Sequence, residues 1–327
     1  MKVLYSATKP TGKLTLGNYI GALRNWKKLQ DEYACYFAIA NLHAHTVEMN
    51  PKDVLERTYE QYACFMACGI DPEKSCIYVQ SMVPEHTEMN WLLNCVTMMG
   101  EASRMTQYKD HVAKGEKSIS TALFTYPVLM AGDIMLFNTS LVPVGLDQVQ
   151  HVELARDIAK RFNSRFGRSV MEPNYFVPKV GAKIMGLLNP EGKMGKSDDD
   201  PNNIIYLQES EEETARKIKR AVTDSVGIIQ YAPETQPGVS NLLTIIAVME
   251  DKSIEEVVES LQGQNYGALK ARTTEAVNNH LRPIREKINY YLTNKEELHA
   301  LMQKGADKAR IVAKETIARC KKAMGLL

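Results

Sequence analysis

Pro10-Thr-Gly-Lys-Leu-Thr-Leu-Gly-Asn-Tyr-Ile-Gly-Ala22 is the stretch around which the rest of the chain arranges itself. An apolar run, Val3-Leu4-Tyr5, precedes it, and a Lys9-Pro-Thr-Gly12 turn breaks that run. Tyr19, Ile20, Leu23, Trp26 and Leu29 then follow at helical spacing just beyond Gly17-Asn18. The order is strand, turn, helix. A helix starting there aims free backbone N–H groups and the positive end of its dipole at the space above the strand. Gly12 and Gly17 let a phosphate come close to that backbone. Alone, such a stretch is an ordinary strand-to-helix turn; it gains meaning from a second one far downstream, Lys193-Met-Gly-Lys-Ser197.

Working outward, Cys35–Ala40 is a continuous apolar run of the kind buried on both faces of a parallel sheet. Cys76–Gln80 and Leu141–Val144 are further strand candidates. Helical patterns fall between and after them, from Pro51 to about Gly69, Glu85 to Met99, Thr121 to Phe137, and Gly145 to about Phe166. Strands alternating with helices predict an α/β fold with a doubly wound parallel sheet, whose ligands bind beyond the carboxyl ends of the strands. From about Glu209 the pattern becomes helical throughout, over Glu209–Arg220, Val239–Met249, Ile254–Leu261, Tyr266–Leu292 and Lys295–Met324. We therefore expect a Rossmann-like unit over residues 1–200 and a second, all-helical unit over 201–327, with the last helix packing back on the first.

The 327 residues carry a net charge of +1, so a nucleic-acid partner must be met by a local basic patch rather than by the field of the whole molecule. Arg272, Arg282, Arg285, Lys287, Lys304, Lys308, Arg310, Lys314, Arg319, Lys321 and Lys322 are the candidates, although a charge run is usually a solvated face. The six cysteines include no C-x-x-C pair, which points to buried thiols in a reducing compartment. No charged-then-apolar leader precedes the first strand. The most apolar run, Phe124–Phe137, is shorter than the roughly 20 residues a bilayer requires and contains Asp133. A cytoplasmic protein is expected.

Gly186 and Gly192-Lys193 invite a phosphate-loop reading, which fails: five residues separate the glycines where that motif has four, and Met194 stands where it has Ser or Thr. What remains is a glycine-flanked segment with Lys193 and Lys196 three apart, suited to an anionic leaving group whose charge grows in the transition state. A solvated basic turn is the commoner use of such a pair. In the helix from Thr121, Tyr126, Met130 and Asp133 stand at i, i+4 and i+7, so one face presents a phenol, a thioether and a carboxylate. Asp133 sits in an apolar run where an unpaired carboxylate is costly, so it needs a donor, either an internal partner or a ligand N–H. Asp147, just past the strand ending at Val144, stands where an acid often meets ribose hydroxyls, or caps a helix. His43 and His45 follow the second strand, and His43 reads as pocket wall rather than base.

Together these residues resemble the tryptophanyl-tRNA synthetases of bacterial type, over essentially the whole chain. Thr15-Leu-Gly-Asn18 is similar to the degenerate "HIGH" signature of class I aminoacyl-tRNA synthetases, and Lys193–Ser197 to "KMSKS". The subtype rests on Gly17–Ala22, Tyr126-Pro-Val-Leu-Met-Ala-Gly-Asp133, Val142-Pro-Val-Gly-Leu-Asp-Gln148 and Ala221-Val-Thr-Asp-Ser225. The resemblance implies activation of L-tryptophan by ATP with Mg2+ carried on its phosphates, and no metal held by the protein itself. Transfer to the tRNA for tryptophan follows, in a homodimer.

The resemblance also implies roles. The residue matching Asp133 accepts the indole N–H, with Tyr5, His43, Tyr126, Met130 and Gln148 around the amino acid. Lys9, Pro10, Thr11, Gly17, Asn18, Gly145, Leu146, Asp147, Ile184, Lys193, Met194, Gly195, Lys196 and Ser197 hold ATP, and Thr15, Asn18, Lys193 and Lys196 are the catalytic positions. The chemistry agrees: a substrate carboxylate attacks phosphorus without a general base, so positioning and charge stabilisation do most of the work. Lys9, Gly195 and His111 depart from the usual residues of the family, with Lys109 or Lys114 as substitutes for the lysine expected at His111. Two other readings stay open. One is a tyrosyl relative with the same fold. The other is a paralogue that binds nucleotide or RNA without catalysis.

Overall fold

The structure is a computed structural model that describes residues 1–115, 119–177, 183–196, 198 and 200–327, with Asp147 described by its backbone alone. Five parallel strands form its sheet: β1 (Val3–Thr8), β2 (Ala34–Ile39), β3 (Cys76–Val79), β4 (Leu141–Pro143) and β5 (Asn174–Phe176), in the order β3-β2-β1-β4-β5. The winding reverses between β1 and β4, which is where a sheet of this kind opens a crevice. The doubly wound α/β architecture is as expected. β5 is an addition: three residues with no apolar run give no periodic signal.

The helices, in chain order, are α1 (Leu16–Asn18), α2 (Arg24–Leu29), α3 (Pro51–Ala67), α4 (Glu85–Asn94), α5 (Met99–Ala102), α6 (Thr106–Ala113), α7 (Thr121–Met135), α8 (Val149–Phe166), α9 (Glu211–Arg220), α10 (Pro237–Glu250), α11 (Ile254–Ser260), α12 (Tyr266–Thr293) and α13 (Lys295–Ala323). A π-helical turn, Tyr19–Leu23, joins α1 to α2. The single helix expected over Glu85–Met99 is broken: α4 ends at Asn94 and α5 starts at Met99. α7 stops at Met135, two residues before the predicted end, and α6 was not foreseen because it buries no residue and so has no apolar stripe.

Alternation along the strands divides two apolar layers. Leu4, Phe37, Ile39, Ile77 and Val79 face one side, joining Leu23 and Trp26 and the buried faces of α3, α10 and α12. Tyr5, Ala38, Tyr78 and Val142 face the other, with residues of α4, α7, α8 and α13. A sheet covered on both faces explains the unbroken apolar run of β2. The last helix docks on the sheet edge at Gly305, where a Cβ would fall 1.7 Å from the Ile77 carbonyl oxygen, so only glycine permits that approach. Tyr62 seals the same junction, donating its O–H toward the carbonyls of Ile77 (3.1 Å) and Leu301 (3.0 Å).

Candidate active site

At the carboxyl ends of β1 and β4 lies a cavity of about 360 Å³, a size that suits a small molecule. Tyr5, His43, Tyr126, Met130, Asp133 and Gln148, the six residues assigned to the amino acid, all line it, with Lys9 and Gly145 from the nucleotide set. The helical spacing in α7 delivers three of them: Tyr126 and Met130 stand one turn apart, and Asp133 almost one more. Tyr126 is held by a 2.6 Å hydrogen bond between its hydroxyl and His151 Nε2. A larger concavity of about 950 Å³, lined by Arg156, Arg168 and Arg319 among others, opens beside the start of β5 and contains none of these residues.

Asp133 is 2% exposed and is not left alone. His43 Nε2 lies 2.7 Å from its Oδ2, while Gln80 Nε2 donates to Oδ1 at 2.8 Å and His86 Nδ1 lies 2.7 Å from the same oxygen. Burial by itself raises the pKa of such a carboxyl, but the contacts with His86 and His43 outweigh burial and hold Asp133 well below the usual carboxylate range. It is an anion whose cost of burial is offset by hydrogen bonds with Gln80 and His43 and by the close contact with His86, whose Nδ1 is not aligned for a hydrogen bond. Behind it, Tyr78 Oη is 3.0 Å from His86 Nε2. Burial, followed by the charge of Asp133, also pushes the Tyr5 phenol upward, so it stays protonated.

The two signature stretches meet in space. Thr15 is fully buried and its Oγ1 accepts the Asn18 N–H at 3.1 Å, while Asn18 Oδ1 accepts the Thr15 N–H at 3.1 Å: together they form a reciprocal helix cap. Leu16 N donates to the Ile205 carbonyl (2.8 Å) and Leu207 N to that of Leu14 (3.0 Å), which ties the cap to the segment following the lysines. Met194 is buried and donates its N–H to the Ile184 carbonyl at 3.0 Å, so Ile184, itself buried, acts through its backbone. A Cβ on Gly17 would sit 2.8 Å from the Met194 carbonyl oxygen. Gly12 is in ordinary contact range of Lys196, a Cβ there falling 3.8 Å from its Cβ, and Lys196 Nζ lies 3.5 Å from the Lys9 carbonyl.

Lys193 is exposed on this hairpin and Lys196 half-buried. Burial chiefly, with help from Lys9, pulls the Lys196 ammonium down to about 8, and Lys9 is lowered by desolvation too. Pro10 is buried, Thr11 and Leu146 are exposed, and Gly195 is intermediate. Ser197 and the side chain of Asp147 lie outside the described residues. Sequence reasoning missed Gln80, His86 and the cavity-lining Gln107 of α6. Gln80 had a signal, since it closes a strand candidate on the ligand side of the sheet; His86 and Gln107 had none.

A family description reading "tRNA synthetases class I (W and Y)" matches residues 2–282. The chain belongs to that family. It is 48% identical over 326 residues to a tryptophan–tRNA ligase of Clostridium perfringens, covering 100% of this chain and 98% of the relative. Among solved structures, a Campylobacter jejuni tryptophanyl-tRNA synthetase complexed with ADP and tryptophan superposes with a TM-score of 0.89 at 37% identity, covering 100% of both chains. The Mycoplasma pneumoniae tryptophanyl-tRNA synthetase gives 0.88 at 34% identity, covering 100% of this chain and 98% of that one.

For a class I synthetase the basic residues of the helical region are less available than the sequence suggests. Arg272 pairs with Glu250, Arg282 with Glu211, Lys304 with Glu73, Arg310 with Glu85 and Lys321 with Glu88. Arg285 is buried and bonds to Leu207 O, Asn278 and Thr214. These six of the candidate basic residues have partners within the chain, and several fasten α12 and α13 to their neighbours.

Proposed function

We propose that the chain is a tryptophan–tRNA ligase. It activates L-tryptophan with ATP and then esterifies the 3′ end of the tRNA that reads the tryptophan codon. In the first step a carboxylate oxygen of tryptophan attacks the α-phosphorus, the bond from that phosphorus to the bridging oxygen breaks, and pyrophosphate leaves. In the second, a terminal ribose hydroxyl of the tRNA attacks the acyl carbon and AMP departs. No general base is needed for the first, because the nucleophile is already anionic.

The observation that carries this reading is Asp133, an ionised acceptor in the wall of an otherwise largely apolar cavity. Indole only donates, and a ligand without that donor leaves the carboxylate short of a partner. Tyr126, Met130, His43, Tyr5 and Gln148 surround the amino acid in this reading. ATP lies over the cap of Thr15 and Asn18 and along Lys9–Thr11, Gly17, Gly145–Asp147 and Ile184, with Lys193–Ser197 on its phosphates. It enters as its Mg2+ complex, the cation being part of the substrate, as is usual where phosphates supply most of the ligands. Lys9, Lys193 and Lys196 have no carboxylate partner among the described residues, which suits groups that await a triphosphate.

In the same reading, residues 1–200 form the catalytic domain and 201–327 a helical domain that meets the anticodon region. The protein works in the cytoplasm as a homodimer. No helix among the described residues is long and apolar enough to cross a membrane. Trp91, Met98 and Met99, exposed by 69%, 53% and 73% at the junction of α4 and α5, support a face shared with a second copy.

Exchange of labelled pyrophosphate into ATP tests the assignment. It is expected to depend on tryptophan and not on tyrosine. Tyrosine-dependent exchange would move the chain to the tyrosyl branch, and exchange with neither would leave a nucleotide-binding paralogue.

A further inference from the structure

Asp133 can accept about four hydrogen bonds, two on each oxygen. The donors are not spread evenly. Gln80 Nε2 donates to Oδ1 (2.8 Å) and His86 Nδ1 crowds the same oxygen at 2.7 Å without the alignment of a hydrogen bond, whereas among the described residues Oδ2 meets His43 Nε2 alone (2.7 Å). Position divides them in the same way. His43 lines the cavity with Asp133, while Gln80 and His86 are absent from its wall and are themselves fully buried. One oxygen is therefore filled from behind and the other keeps a lone pair for the cavity.

The rear pair is itself held. Gln80 Oε1 accepts the Leu42 N–H at 3.1 Å, which fixes the amide so that its NH2 must face Asp133. His86 Nδ1 is not aligned to hydrogen-bond Oδ1, but the ring is held beside that oxygen by its Nε2, 3.0 Å from the Tyr78 hydroxyl. Three side chains, from β3, the turn after it and α4, thus hold the carboxylate of α7 in place.

We propose that Gln80 and His86 are positioning residues for substrate selection: by occupying Oδ1 they turn the carboxylate so that Oδ2 offers its remaining lone pair to a ring N–H in the cavity. This rests on the ligase reading above and extends it to residues that touch no substrate. A structural role alone would affect all substrates alike. A positioning role affects those that carry the ring N–H.

The test compares kcat/KM in pyrophosphate exchange for tryptophan and for 3-benzothienylalanine, which replaces the ring N–H by sulfur and keeps the shape. Gln80→Met is expected to reduce the preference for tryptophan by about tenfold or more, the scale of one charge-assisted hydrogen bond, and His86→Leu, which removes a close contact rather than a hydrogen bond, to reduce it in the same direction by less, with KM for ATP unchanged. Because either variant strips a buried partner and can unfold, Gln80→Glu serves as the second probe. It keeps the acceptor for Leu42, and in its protonated form supplies an O–H where the amide supplied N–H. Its preference should therefore be near that of the parent in acid and fall as pH rises and two carboxylates come to face each other. A preference that stays at the parental value in the folded variants, or that is flat with pH in Gln80→Glu, overturns the assignment alone. Absence of tryptophan-dependent exchange in the parent chain would overturn the ligase reading and this inference with it.

Discussion

At one end of the crevice Asp133 is held from three separate elements, the turn His43–Thr46, the turn after β3, and α4. At the other, Lys193 and Lys196 stand on a hairpin joined by Gly186 N to Gly192 O and Met194 N to Ile184 O, and pinned from α10 by Asn241, which bonds both backbone groups of Met185. The first end fixes a side chain. The second fixes a backbone and leaves its ammonium groups without carboxylates among the described residues. We read the difference as a division of labour. The selecting end is complete before a ligand arrives, whereas the phosphate end buries an ammonium group with Lys9 nearby, at a cost visible in the lowered pKa of Lys196, until the substrate brings the anion.

The largest expected effect tests the selecting end. Asp133→Ala removes the acceptor and leaves Gln80, His43 and the His86 ring facing an empty space. The kcat/KM for tryptophan in pyrophosphate exchange should fall by about 10^4-fold, as for sites built to hydrogen-bond one substrate group. A fall of less than tenfold would mean that shape, not this carboxylate, selects the ring. On the other end, Lys196→Ala is expected to lower kcat by about 10²- to 10³-fold, the scale of one lost transition-state donor, while KM for tryptophan stays within error. Single-turnover exchange at saturating tryptophan reads the split, and an effect confined to KM would sink the proposed role.

The same contrast governs what could be read from residues alone. The face of α7 was legible because helical spacing places Tyr126, Met130 and Asp133 in line without reference to anything else. That Asp133 needs a donor was also legible, from the cost of a bare carboxylate in an apolar run. Which donors they are was not, because Gln80 and His86 come to it through the packing of β3 and α4 against α7. The paired lysines were visible as a spacing, but the contact that gives them a place, Met194 against Gly17, joins residues 177 positions apart and has no local sign. The partners of Arg310 and Lys321 were illegible for the matching reason: Glu85 and Glu88 lie on α4, more than two hundred residues earlier.

A smaller effect comes from protonation. Lys196 loses its proton as pH rises through about 8, so in the free enzyme its charge is present below that value and absent above it. The kcat/KM for ATP, which reports the free enzyme, should therefore decline above pH 8, by about tenfold per unit at the steepest. In Lys196→Met that limb should disappear. A parent profile flat to pH 9.5 would mean that the ammonium is solvated and that Lys9 does not crowd it. The stability consequence has the opposite sign. Because the folded state binds this proton less tightly than the unfolded chain, unfolding becomes harder as pH rises from about 8 toward the usual lysine range.

The smallest effect asks whether the cap at the start of α1 belongs to the chemistry or to the scaffold. Thr15 is buried and its hydroxyl and N–H both engage Asn18, so the resemblance gives it a catalytic place while its contacts are those of a helix cap. Thr15→Ala should cost about 1 kcal/mol in denaturant unfolding, the usual worth of such a cap, and Thr15→Ser should restore most of it. If the cap only supports the site, kcat for exchange should change by less than about fivefold in Thr15→Ala, in step with that loss of stability. If kcat instead falls as far as in Lys196→Ala while the unfolding midpoint hardly moves, the hydroxyl acts on the nucleotide directly. The phosphate end would then have a preset side chain of its own, and the contrast with Asp133 would narrow to the lysines.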